Sequence, residues 1–159
     1  MSIDRHIALL RGVATFDMLS EPALELVAES AQEMRLAAGE VLFRTNDIAD
    51  CAYVVVSGRI RLLDERKPDA PRLVKEVRAG ALIGETALII PTPRPAGAVA
   101  GETTVLLRLP RAAFVTVLER HPEVTAKFRR AIARRLEGTL RALDTVRVKL
   151  EDQRARRRR

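Results

Sequence analysis

The sequence predicts an α+β domain, mainly β, in which short strands form a barrel, sandwich or jelly roll flanked by helices. Three observations lead to this fold class. Between residues 41 and 109 the apolar side chains follow the period of strands, in short segments bounded by turn residues. Before and after that stretch the apolar spacing is helical. With 159 residues, 47% of them apolar, the chain is long enough for a single domain with its own core.

The first 34 residues are predicted to form two helices. Residues 3–10 and 22–34 carry apolar side chains at helical spacing. Ser20 is typical of a helix N-cap, and Pro22 suits the first turn of the helix that follows it.

Residues 35–110 are predicted to contain the strands of the roll. The turns between them are favoured by residues that tolerate left-handed backbone, namely Gly39, Asn46, Gly58, Gly80 and Gly101. The predicted strands cover residues 41–44, 53–57, 59–64, 72–77, 98–100 and 103–109.

Residues 111–153 are predicted to form C-terminal helices that pair with a second copy of the chain. From Pro122 onward the spacing is helical, and apolar residues then recur at the core positions of a seven-residue repeat: Ile132, Leu136, Leu143, Val146 and Leu150. Such a seam is typical of a dimer. The alternative is that these side chains pack on the body of their own molecule.

The positive charge is concentrated at the C-terminus. Residues 127–159 carry 13 lysines and arginines against 4 acidic residues, a net +9, while the remainder carries 15 against 17, a net −2. We therefore expect no nucleic-acid-binding surface on the globular part. The run at 154–159 is predicted to be a disordered, solvated tail. Its alternative role is a non-specific anchor for nucleic acid, anionic lipid or an acidic partner.

The rare residue types argue against secretion, membrane insertion and catalysis. Cys51 is the single cysteine, so no intramolecular disulfide forms, and neither a signal peptide nor an apolar run of membrane-spanning length is present. We expect a cytoplasmic protein. His6, placed at an exposed position, and His121 both lie outside the predicted strands, which argues against the metal site of a cupin enzyme. No serine or cysteine has a recognisable activating base, so we expect no enzyme, no metal and no cofactor.

The segment 80–96 is the part of the sequence that indicates chemistry. Gly84 allows a ligand to approach the backbone, and the short apolar run 86–90 predicts one or two helical turns beside it. Arg94 follows at a distance that lets its planar guanidinium return to the same point and bind an anion. Glu85 is unfavourable beside an anion and is better explained as an acceptor for a sugar hydroxyl. A phosphate with a ribose is therefore implied.

This segment, with Gly84-Glu85-x-Ala87 followed by Arg94-x-Ala96, resembles the phosphate-binding cassette of the cyclic-nucleotide-binding family, of the catabolite-activator and protein-kinase-regulator type. The likeness extends to the stretches 38–43, 47–58, 80–85 and 121–122. It implies an eight-stranded β-roll, or double-stranded β-helix, that holds cyclic AMP or cyclic GMP non-covalently. It also implies that the flanking helices report whether the roll is occupied.

The resemblance implies a role for each residue of the cassette. Gly84 and the amides of Thr86 and Ala87 line the pocket. Glu85 accepts a hydrogen bond from the ribose, and Arg94 pairs with the cyclic phosphate. Further contacts are expected from three residues: Val74, Ile83 and Ala96.

Pro95 departs from the family pattern. The family usually has alanine, serine or threonine there, whose amide contacts the phosphate, and proline has no amide hydrogen to donate. Losing one hydrogen bond to a charged group costs about 1.5–3 kcal/mol unless water or the amide of Ala96 compensates. The alternative that this chain has lost the ligand of the family, or binds a different one, therefore stays open.

Three functional hypotheses follow. The first is a sensor: a cyclic nucleotide binds in the roll, and a helix-paired dimer or an effector protein receives the signal. The second is a protein-interaction module in which a degenerate roll serves as the scaffold of a dimer. The third is a nucleic-acid-associated protein that uses the basic tail. The transcription regulators of the family have a helix-turn-helix after the long helix, and we find none here, so we expect no sequence-specific DNA binding.

Overall fold

A computed structural model describes residues 2–131 and 133–134 of the chain. The chain opens with α1 (Ile3–Arg11), a 3-10 turn (Ala14–Met18, the N-terminal turn) and α2 (Glu21–Ser30). The strands are β1 (Gln32–Leu36), β2 (Val41–Phe43), β3 (Ile48–Ala49), β4 (Cys51–Ser57), β5 (Arg59–Asp64), β6 (Arg72–Arg78), β7 (Leu82–Ile83), β8 (Thr92–Pro93), β9 (Gly97–Ala100) and β10 (Thr104–Pro110). A second 3-10 turn, Glu85–Leu88, is called the cassette turn below. Helix α3 (Arg111–Arg120) and the helical residues 122–131 follow β10.

The strands form two four-stranded antiparallel sheets, with the orders β1-β10-β4-β7 and β2-β9-β5-β6. A short ribbon of β3 and β8 lies apart from both. Strands that are distant in sequence pair with one another, as β1 does with β10, which is the connectivity of a roll. The predicted α+β class with an eight-stranded roll is confirmed.

The described residues form two apolar clusters, and β4 contributes to both. Cys51, Tyr53 and Val55 belong to the cluster inside the roll, whereas Ala52 and Val54 belong to the cluster between the roll and the helices. Successive side chains of a strand point to opposite faces, so a strand covered on both faces is apolar throughout. All five residues are at most 7% exposed.

Aromatic side chains join the N-terminal turn to the C-terminal helices. Phe16 lies 6.3 Å from Phe114, and Phe114 lies 5.0 Å from Phe128, measured between ring centroids. Each of the three rings is at most 2% exposed. Tilted aromatic pairs at these distances add to the free energy of burial. The N-terminal turn, α3 and the helix at 122–131 therefore share one core.

The structure corrects the predicted end of the second helix. The apolar spacing predicted a helix over 22–34, but α2 ends at Ser30 and β1 begins at Gln32. The backbone of β1 forms a ladder with β10, and this pairing overrides the helical spacing of a few side chains. The N-cap was predicted correctly, since the Ala23 amide donates to Ser20 Oγ at 3.3 Å. His6 is also corrected, because it is 8% exposed and its Nδ1 lies 3.2 Å from the carbonyl of Ala28.

Two predictions fall outside the described residues: the tail at 154–159 and the dimer seam, with its core positions Ile132, Leu136, Leu143, Val146 and Leu150. In the described part of the chain, no helix combines the length and the apolar character that crossing a membrane requires.

Candidate anion-binding site

The backbone of Arg94 is fixed by the turn that connects β2 to β3. Its amide donates to the carbonyl of Asp47 at 2.8 Å, and its carbonyl accepts from the amide of Asn46 at 2.8 Å. Asn46 adopts the left-handed conformation predicted from the sequence, with φ of 72°. The Asp47 carboxylate in turn accepts from the Arg44 amide at 2.9 Å, which closes the turn.

The side chain of Arg94 is buried without a carboxylate partner. It is 5% exposed, and its Nη2 donates to the carbonyl of Cys51 at 2.8 Å. The guanidinium lies over the ring of Phe43 at 4.3 Å and near that of Tyr53 at 5.6 Å. Burial raises the pKa of Tyr53 to about 12, so this phenol stays neutral beside the cation. Among the described residues Arg94 forms no ion pair, which is rare for a buried charge.

Gly84 lies directly against this guanidinium. Its φ of 76° is in the left-handed region, which a side chain disfavours. A Cβ atom at this position would collide with Nη1 of Arg94. The glycine predicted for close approach thus leaves room for the arginine as well as for a ligand.

Arg94 and Gly84 line a cavity of about 200 Å³ inside the open end of the roll. Five residues predicted for the site are brought together here: Ile83, Gly84, Arg94, Pro95 and Ala96. The remaining lining residues are mainly apolar and come from β2, β5, β6 and β7: Phe43, Leu62, Lys75, Val77 and Leu82. The lining carries two cations and no carboxylate, so its electrostatic field favours an anion.

Val74, predicted to contact the ligand, lies outside the cavity. It is 63% exposed, whereas its neighbours Lys75 and Val77 line the cavity. Side chains of a strand alternate between faces, so the assignment depends on register. The ladder between β5 and β6 shifts between Leu62 and Leu63, and this irregularity is not visible in the sequence. Strand alternation would have pointed to Lys75 had the register been known.

Three residues of the cassette turn that were predicted to belong to the site do not line the cavity: Glu85, Thr86 and Ala87. The Ala87 amide donates to the carbonyl of Gly84 at 3.0 Å, and its role as a pocket donor stays a prediction. Glu85 is 7% exposed, and its Oε2 accepts from Thr15 Oγ1 at 3.0 Å. No pattern in the sequence indicates this contact, which joins residues 70 positions apart.

A larger groove, of about 610 Å³, lies on the surface between the cassette turn, α3 and the helix at 122–131. It is lined by Ile89, Val115, Leu118, Glu119, Pro122, Thr125, Ala126 and Arg129. No buried cation faces it, and its one acid and one arginine both lie at a helix surface. Volume alone therefore does not identify the binding site, and the cavity beside Arg94 has the chemistry that the groove lacks.

The fold and the site define a class of protein: a β-roll flanked by helices, with a buried arginine beside a small cavity whose lining favours an anion. No group of histidine, cysteine and carboxylate side chains in the described ranges could hold a metal ion. The family described as the cyclic nucleotide-binding domain matches residues 33–121 of the sequence. The chain belongs to this family.

Solved structures agree with this assignment. A cyclic nucleotide-binding-like protein from Brucella abortus is 39% identical with a TM-score of 0.66, covering 73% of this chain and 99% of that one. The regulatory domain of Toxoplasma gondii PKA, solved with cAMP, is 30% identical with a TM-score of 0.67, covering 72% of this chain and 44% of that one.

One curated relative is a much longer protein that matches this chain over a small part of its length. Lysophospholipase NTE1 of Chaetomium globosum is 30% identical over 139 residues, which cover 87% of this chain. The match covers 9% of that relative, so the chain spans less than a tenth of its length.

Proposed function

We propose that the chain binds a cyclic nucleotide, cyclic AMP or cyclic GMP, with its phosphate on Arg94. The observation that carries this proposal is the buried guanidinium with no anionic partner among the described residues. A buried charge is unfavourable unless it is paired, and the phosphate of a ligand supplies the missing charge. The Cys51 carbonyl and the Phe43 ring hold the guanidinium in place before the ligand arrives.

The rest of the cavity suits a nucleotide better than a bare phosphate. Leu62, Val77 and Ile83 give it an apolar wall for the base, beyond the charged end. Lys75 is a second cation in the lining, and it favours an anionic ligand although Pro95 has no amide hydrogen to donate. The likeness to the Toxoplasma domain, which was solved with cAMP, supports the same ligand class.

We propose further that the chain is a regulatory domain in signal transduction and not an enzyme. The nucleotide is held non-covalently, and the output passes through a homodimer or an effector protein in the cytoplasm. The apolar cluster in which Ala52 and Val54 of β4 pack with residues of the N-terminal turn and the C-terminal helices connects the roll to the elements that would contact such a partner.

The second candidate function is a protein-interaction module with a degenerate roll. Pro95 favours it because it removes a donor, and the position of Glu85 outside the cavity favours it too. In this case the helices would act whether or not a nucleotide is present.

A thermal-unfolding scan separates the two. Ligand at about 100 times its Kd adds roughly 2.7 kcal/mol, which for a domain of this size raises Tm by about 5–10 °C. We expect such a shift with cyclic AMP or cyclic GMP, no shift with 5′-AMP, and no shift with any of them for Arg94→Met. Arg5→Ala, which changes an exposed arginine on α1, is the matched control and should keep the shift. No shift for the wild-type chain at millimolar nucleotide would contradict the sensor and favour the interaction module.

A further inference from the structure

Resting on the proposed function, we infer that Lys75 selects the base of the nucleotide, so that the cavity binds cyclic GMP more tightly than cyclic AMP. Lys75 and Arg94 are the two cations of the cavity lining, and they differ in depth. Arg94 is 5% exposed, whereas Lys75 lies at an exposed position of β6. A phosphate on Arg94 occupies the buried end, which places the base toward the opening, beside Lys75.

The ladder between β5 and β6 places Lys75 on the cavity side of the sheet. Lys75 lies opposite Leu62 in this ladder, and Val77 follows two residues further along the same strand. Side chains two residues apart in a strand share a face, and all three of these residues line the cavity. Glu76, which lies between Lys75 and Val77, does not line the cavity and pairs with Arg61 at 3.9 Å.

The side chains of the lining donate hydrogen bonds and accept none. Lys75 and Arg94 are the polar side chains among the lining residues, and the others are apolar or glycine. The Lys75 ammonium forms no ion pair within the described ranges, so its three donors are available to a ligand. A base that presents acceptors suits this lining better than one that presents a donor.

Guanine and adenine differ in this respect along one edge. Guanine presents two adjacent acceptors, O6 and N7, whereas adenine presents the N7 acceptor beside the N6 amino donor. An ammonium group donates to both guanine atoms. Beside adenine it reaches one acceptor and faces an amino group that has no side-chain acceptor in the lining.

The first test compares three nucleotides by isothermal titration calorimetry: cyclic GMP, cyclic AMP and cyclic IMP. Cyclic IMP keeps the O6 and N7 atoms of guanine and lacks its 2-amino group. We expect the wild-type chain to bind cyclic GMP about 5- to 20-fold more tightly than cyclic AMP. Cyclic IMP should bind within about twofold of cyclic GMP, because it presents the same two acceptors.

Two substitutions of Lys75 test whether this side chain carries the preference. Lys75→Met keeps the length and removes the donors, so the affinities for cyclic GMP and cyclic AMP should become equal within about twofold. Lys75→Gln introduces an amide that both donates and accepts, which matches adenine and should reverse the preference. Arg72→Met is the matched control, since Arg72 is an exposed cation of the same strand that does not line the cavity. It should keep the ratio of the wild-type chain.

The inference and the proposed function fail in different ways. A wild-type preference for cyclic AMP, or a ratio that Lys75→Met leaves unchanged, overturns the inference and leaves the proposed function standing. Equal weakening of all three nucleotides by Lys75→Met would mean that Lys75 contacts the phosphate, and it also overturns the inference alone. Binding of none of the three by the wild-type chain overturns the proposed function and, with it, the inference.

Discussion

At the scale of single residues, the site depends on an arginine whose position is fixed before its partner arrives. Arg94 has its backbone hydrogen-bonded to Asn46 and Asp47 and its side chain to Cys51. Fixing a long side chain costs about 1.5–2 kcal/mol of rotamer entropy, and here folding has already ordered it. The proposed ligand would gain a charge-assisted contact without that cost, which is the advantage of a preorganised site.

Glu65 stabilises the turn that holds the backbone of Arg94, through contacts with Arg44 and Thr45. Its Oε1 accepts from the amide and the hydroxyl of Thr45 at 2.9 and 2.8 Å, and its Oε2 pairs with Arg44 at 2.8 Å. Thr45 lies in the turn that holds Arg94. The hydrogen bond from the Thr45 amide, with further help from Arg44 and the Thr45 hydroxyl, lowers the pKa of Glu65 below its ordinary value.

We predict that this carboxylate makes the stability of the domain depend on pH. A depressed pKa stabilises the fold above the ordinary value of about 4.3, and the contribution is lost as the pH falls through the folded value. Glu65→Gln should lower the free energy of unfolding by about 1 kcal/mol at pH 7, and the difference should close below about pH 4. Urea unfolding at several pH values measures both.

The control for Glu65 is Glu21→Gln. Glu21 pairs with Arg11 on the surface, where the two side chains are 64% and 57% exposed, so its loss should change stability by less than about 1 kcal/mol. A Glu65→Gln difference that persists unchanged at acid pH would contradict the assigned cause.

Individual site residues were predictable from the sequence where backbone chemistry dictates them. Gly84 and Asn46 both adopt positive φ, and Arg94 follows the cassette turn at the predicted spacing. Lys75 lines the cavity in place of the predicted Val74, because the face on which a strand residue lies depends on a register shift between β5 and β6.

At the scale of elements, the end of α2 is a place where strand pairing, and not the local spacing of apolar side chains, determines the secondary structure. The side chains up to residue 34 fit a helix as well as a strand, and only the ladder with β10 decides between them. The strands β3, β7 and β8 have two residues each and leave no periodic signal that a sequence could reveal.

We predict that the aromatic contacts around Phe114 stabilise the helical half of the domain without contributing to the cavity. Phe114 is 1% exposed and contacts both Phe16 and Phe128. Phe114→Leu should lower the free energy of unfolding by about 1–2 kcal/mol, from lost ring contacts and a small void. Nucleotide affinity should stay within about twofold, because Phe114 does not line the cavity. Denaturant unfolding and calorimetry measure the two quantities.

Ile48→Ala is the matched control for Phe114, since Ile48 is 71% exposed and its truncation should change stability by less than about 0.5 kcal/mol. A loss of affinity in Phe114→Leu as large as its loss of stability would mean that the helical core shapes the cavity directly.

At the scale of the whole molecule, the sheet that contains β4 lies between the apolar cluster inside the roll and the apolar cluster beside the helices. The β4 strand contributes side chains to both clusters, so a change on one face of this strand is felt on the other. Packed cores rearrange between discrete states more readily than they deform, so the proposed sensor is expected to change between two arrangements of these clusters. The sequence predicts a strand at these residues. That Tyr53 belongs to the cluster inside the roll and Val54 to the cluster beside the helices becomes clear only from the tertiary structure.

The last prediction concerns the dimer, whose seam lies outside the described residues and stays a prediction from the sequence. We expect light scattering at micromolar concentration to give twice the 17.7 kDa mass of the chain. Leu143→Glu places a charge at a core position of the seven-residue repeat, and it should return the mass to that of a monomer. The matched change at a position outside the repeat is Arg141→Glu, which should leave the dimer intact.

The rise in Tm with nucleotide should survive Leu143→Glu, since all residues that line the cavity lie between Phe43 and Ala96. A monomeric wild-type chain contradicts the seam; loss of the nucleotide shift together with the dimer would mean that a second copy completes the binding site.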